Sequence, residues 1–138
     1  MMRRRSDERG AIAMEFLIMA PLLLAMIFLV VGMGRVAQAG GGVNAAAYEA
    51  ARAASLERNH GAATAAGQAA ATRSLSQRGM SCVGLNVRVD TGDYRAGGQV
   101  RARVSCQANL SDLVLVGFPG SKTYTHTAVV PIEQYRSE

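Results

Sequence analysis

Residues 11–34 form an unbroken apolar stretch of 24 residues whose one charge is Glu15. As a helix this stretch spans roughly 36 Å, enough to cross a bilayer. In hydrocarbon every backbone group must be satisfied within the segment, so helix is the conformation expected of it. Glu15 sharpens the constraint. An unpaired acid in hydrocarbon costs about 2 kcal/mol or more, so a partner or a function is expected to keep it there.

The flanks orient the segment. Arg3, Arg4, Arg5 and Arg9 precede it and Arg35 alone follows closely, so the positive-inside rule places the amino terminus in the cytoplasm and the chain after Arg35 outside. With four of its arginines in that leading flank, the net charge of +5 is partly topogenic and is not by itself a nucleic-acid footprint. A chain of 138 residues leaves about 100 to fold in water, room for one small domain. Cys82 and Cys106 then lie outside the cytoplasm. They are expected to form a disulfide, since two thiols without supporting ligands cannot complete a zinc shell.

Further along, Pro21 interrupts the apolar helix, where a kink is tolerable, and Met19, Met26 and Met33 fall on one stripe as packing filler. Gly40, Gly41 and Gly42 mark a soft point or hinge, with Asn44 available to cap a restarted helix. Alanine dominates residues 43–58, so this helix must pack closely through small side chains; residues 11–58 are expected to form a nearly continuous rod. Asn59-His60-Gly61 reads as a helix end with Gly61 left-handed, followed by a second alanine-rich helix over residues 62–78 that Gly79 stops.

Beyond Gly79 the period becomes two. Val83, Leu85, Val87 and Val89 share a face, as do Val100, Ala102, Val104 and Cys106, with Gly92, Gly97 and Gly98 marking the turn between. A third run places Tyr124, His126, Ala128, Val130 and Ile132 opposite Thr123, Thr125 and Thr127; Pro131 requires an edge or an end there. Residues 113–116 offer a short fourth strand. Cys82 has the wrong parity to meet Cys106 in a regular ladder, so a bulge at Gly84, or placement of Cys82 before the strand, is required.

Gly10, Ala11, Glu15 and Phe16 together resemble the processing site of type IV pilin-like precursors. That resemblance implies cleavage between Gly10 and Ala11 by a membrane-embedded prepilin peptidase, with Glu15 and Phe16 at mature positions five and six and Glu15 used in assembly. The physics agrees: cleavage creates an amine on Ala11, and the amine of one subunit can neutralise Glu15 of the next. The wider pattern is similar to the TadE-like family of tight-adherence pilus proteins. It comprises Glu15-Phe16, the segment with Pro21, the Ala50-Ala51-Arg52-Ala53-Ala54 helix, alternating strands and a closing run over residues 131–136. The resemblance implies a minor pilin or pseudopilin acting in pilus assembly or adhesion, with other pilins, the assembly machinery and membrane lipid as partners.

Competing readings come from the same residues. Ala37-Gln38-Ala39 has the small-x-small form of a signal-peptidase site, which would release a soluble domain starting at Gly40, and an uncleaved anchored surface domain is the other alternative. Catalysis has little support: His60 and His126 lack a serine elbow, paired acids or a phosphate loop, and no cofactor, metal or small-molecule substrate is implied. Arg88, Arg95, Arg101 and Arg103 could line one hairpin and attract nucleic acid, but without Trp a solvated face is favoured. Leu113, Leu115 and Phe118 either cover the sheet or form a patch for another pilus subunit.

The expected fold is α+β. A leader over residues 1–10 precedes a transmembrane helix over 11–34, an alanine-rich stalk with a second helix over 35–78, and an extracytoplasmic, disulfide-tied antiparallel sheet of three or four strands over 79–138.

Overall fold

In the computed structural model the apolar stretch lies within a single helix, α1 (Arg4–Ser55), which carries Pro21 in its interior. The structure describes residues 4–109, 111 and 120–135, with side chains from residue 13 onward within those ranges. The chain divides into two compact units, meeting between Arg35 and Val36. In the first unit the large side chains are turned outward: Phe16 is 71% exposed and Leu23 58%. From residue 13 the helix is long and apolar enough to cross a membrane.

The second unit begins within α1, and here the glycine run behaves differently from the expected hinge. Residues 40–42 are helical, and Asn44 is an exposed residue of the helix interior, not a cap. Each glycine in a helix costs about 1 kcal/mol against alanine, and two of the three sit where tertiary contact can offset that. A Cβ on Gly40 would touch the Tyr124 ring at 3.6 Å, and one on Gly42 would lie 2.3 Å from the Met80 sulfur. Ala39, Val43, Ala46, Ala47, Ala50 and Ala54 continue the contact stripe at helical spacing and are all buried.

The Asn59-His60-Gly61 expectation is overturned. Instead of ending α1, these residues start α2 (His60–Gln77), and Asn59 is its N-cap, accepting from the Ala62 backbone N–H at 2.8 Å. The short amide can serve the free donors of a new helix, and that use prevails over a left-handed exit. Among the described residues the positive-φ glycines are Gly79 and Gly97. Gly79 (φ 67°) does stop α2, with its N–H bonded to Ser76 O at 3.0 Å and Met80 N–H to Leu75 O at 3.0 Å.

Three strands follow, β1 (Cys82–Asp93), β2 (Gln99–Asn109) and β3 (Ser121–Pro131), forming an antiparallel sheet in chain order. Val100, Ala102, Val104, Cys106 and Ala108 alternate inward along the central strand. β3 is an edge strand whose last residue is Pro131, where a missing donor is tolerated. One side of the sheet packs against both helices: Ala102, Val104, Cys106 and Tyr124 share a cluster with Val43, Ala46, Ala47 and Ala50 of α1 and Ala71 and Leu75 of α2. The α+β architecture with its long apolar amino-terminal helix, second helix and three-stranded sheet is therefore the one expected. Residues 113–116, read as a fourth strand, lie outside the described residues.

Candidate functional site

The two ends of α1 carry different kinds of site. At the amino-terminal end, Gly10 and Ala11 have helical backbone. Glu15 follows Ala11 by four residues, which in a helix is one turn, about 6 Å along the axis and on the same face. Glu15 is exposed and has no ion-pair partner among the described residues. Phe16, 71% exposed, stands beside it. Around the carboxylate Met14, Leu17, Ile18 and Leu22 are all exposed, so this surface combines one acid with an apolar helix wall.

The family comparison bears on this segment. A family model described as TadE-like protein matches residues 10–52. Over residues 10–52 the chain is similar to that family. The match begins at Gly10, runs through Glu15 and the apolar stretch, and ends at Arg52 within the buried alanine stripe. The TadE-like family is pilus-associated and structural. No curated protein and no solved structure matches the chain.

At the other end of α1, a tie holds its carboxy terminus to the turn between β1 and β2. The Tyr94 hydroxyl donates to Ala54 O at 2.8 Å and lies against Glu57 O. Ala54 lies in the last turn of α1, where carbonyls lack partners within the helix, and Glu57 follows the end of the helix. His60, at the start of α2, packs against the Tyr94 ring with centroids 5.2 Å apart and a 46° tilt, and shares a 2.9 Å hydrogen bond with Thr91 Oγ1. Sequence reasoning had no role for Tyr94. An aromatic inside a glycine-rich turn was the available signal.

Cys82 and Cys106 are joined by a disulfide with a Cα separation of 5.4 Å. The parity conflict is resolved by a bulge: Cys82 pairs with Ala108 but Gly84 pairs with Gln107, leaving Val83 as the extra residue. Val83 is consequently 70% exposed and does not share the inner face with Val87 and Val89, as strict alternation predicted. Leu85, opposite Cys106 and 39% exposed, is at the margin of that face.

His126 is a half-buried strand residue, and no group of three or more His, Cys, Asp or Glu capable of holding a metal occurs among the described residues. Leu113, Leu115 and Phe118, the expected partner patch, lie outside the described residues. The four hairpin arginines do not act together. Arg95 is bound to Asp93 at 2.7 Å near the turn, whereas Arg88, Arg101 and Arg103 project from the outer sheet face.

Proposed function

We propose that this chain is a minor pilin or pseudopilin of a tight-adherence pilus, matured by prepilin peptidase after Gly10 and working in pilus assembly or adhesion. The observation that carries the reading is the TadE-like match that starts at Gly10 and contains Glu15 in an exposed apolar helix. Once cleaved, Ala11 would carry a charged amine one helical turn from Glu15. In a bundle of such helices that amine and the carboxylate of a neighbour neutralise each other in a low-dielectric setting, where removing one partner costs about 3 to 5 kcal/mol. A register error of one turn leaves both charges unpaired, so the pair selects the correct stagger. Its partners in this reading are the peptidase, other pilins, the assembly machinery and membrane lipid. The amino terminus starts in the cytoplasm, and the chain beyond Arg35 lies outside it.

Release by signal peptidase after Ala39 fits the packing poorly. Ala39 is buried and Val36 packs against the same cluster, so that cut would strip both from the core. Mass analysis of the mature protein from its native host should find Ala11 as the first residue. A start at Gly40, or an intact leader, would refute the reading. Glu15→Ala should leave membrane insertion intact and abolish incorporation into pili, whereas an inert anchor would tolerate the change.

A further inference from the structure

The outer face of the sheet carries three arginines that form no salt bridge among the described residues. Arg88 on β1 is registered directly opposite Arg103 on β2, and Arg101 is two residues along from Arg103 on the same face. All three are exposed and make no ion pair among the described residues. Like charges placed directly across a strand pair repel, so the arrangement works against the sheet that holds it. Asp90, registered opposite Arg101, offsets part of this charge; its Oδ1 accepts from the Gly92 N–H at 2.9 Å and it forms no salt bridge among the described residues.

Alongside the arginines runs a row of hydroxyls. Thr127 is registered against Arg103, and the Thr125 and Ser105 hydroxyls are bonded to each other at 2.8 Å, fixing their side chains. A sheet face with guanidinium forks on one side and hydroxyls on the other matches a polymer that presents carboxylates and alcohols alternately. Arginine accepts a carboxylate in bidentate fashion, and threonine and serine exchange hydrogen bonds with sugar hydroxyls. Single-stranded nucleic acid fits less well, because stacking platforms are missing from the face: the chain has no Trp, Tyr124 points into the core and Tyr94 is held at the end of α1.

We infer that this face binds an acidic polysaccharide, a glycan chain carrying carboxylate groups, through Arg88, Arg101 and Arg103 with the Ser105, Thr125 and Thr127 hydroxyls beside them. The inference uses no property of Glu15 and does not depend on pilus incorporation.

The test is titration of the full-length chain in a non-ionic detergent with polygalacturonate, neutral dextran, double-stranded DNA and polyglutamate. Polygalacturonate should bind at about 50 mM salt and be released at about 500 mM, as expected of exposed charge pairs. Arg88→Ala and Arg103→Ala should each weaken it about threefold, and the double variant about tenfold or more. Arg95→Ala, which alters an arginine already paired with Asp93, should change it less than about twofold. Thr125→Val should weaken polygalacturonate and leave the weaker polyglutamate binding unchanged. Melting temperatures that do not fall, and that rise where the Arg88–Arg103 repulsion is removed, will show that these exposed substitutions leave the fold intact. Wild-type affinity in the arginine double variant, absence of polygalacturonate binding at low salt, or dextran, DNA or polyglutamate binding as tight as polygalacturonate would each overturn the inference.

Discussion

Gly67 and Gly41 are both helical glycines, and their surroundings give them opposite roles. A Cβ on Gly67 would lie 2.7 Å from Val89 Cγ2 and 3.1 Å from the carbonyl oxygen of Ala50, so α1, α2 and β1 meet at a point that admits only hydrogen. Backbone cannot move aside as a flexible side chain can. Gly67→Ala should therefore destabilise the protein by about 1 to 3 kcal/mol. Nothing lies within 4 Å of the corresponding position at Gly41. Gly41→Ala should stabilise by about 0.4 to 1 kcal/mol through reduced freedom of the unfolded chain and better helix propensity. Denaturant unfolding of the two variants side by side checks both signs. At Gly98 the restriction is tighter, a Cβ there falling 2.1 Å from Asp93 O, which is why the hairpin turn needs glycine.

At the scale of the element, β1 depends on its bulge and the disulfide together. The extra residue at Val83 turns Cys82 onto the side of Ala108 and Cys106, and the bridge then closes a loop across 24 positions of sequence. In the chain-entropy picture such a closure contributes about 3 kcal/mol. Replacing both cysteines by serine should lower stability by about that amount, measured by thermal unfolding against the oxidised protein. β1 should lose amide-exchange protection first in the double variant. It is an edge strand, and its amino-terminal part from Val83 to Asn86 is largely exposed.

The second unit as a whole is held by the seam between the sheet and the alanine stripe, and Tyr124 lies in that seam. Its ring meets Gly40, Lys122 sits 5.3 Å from the ring centroid, and the side chain is buried. Burial raises the Tyr124 pKa above its ordinary value of 10.0, because the phenolate would lose solvation. The folded protein therefore holds this proton more tightly than the unfolded chain. The stabilisation is complete below pH 10 and is lost as pH rises through the folded value. Unfolding free energy should fall with pH above about 10, and Tyr124→Phe should reduce that slope.

The chain's linear pattern alone determined a good deal. Membrane-scale helix, strand alternation and the need for either a bulge at Gly84 or a displaced Cys82 were legible, because apolar periodicity and segment length depend on local geometry; the extra residue proved to be Val83. So was the Gly10-Ala11-Glu15-Phe16 cluster, since one helical turn separates Ala11 from Glu15 wherever the helix lies. Tertiary structure decided the rest. Whether residues 40–42 bend or continue depended on Tyr124 and Met80, more than 35 positions away, which supply contacts that local propensity cannot register. Asn59 could close one helix or open the next, and the tie from Tyr94 to the last turn of α1 marks where the first one ends. The facing of Arg88 and Arg103 likewise exists only through strand register, because their repulsion and their joint use are properties of two strands brought side by side.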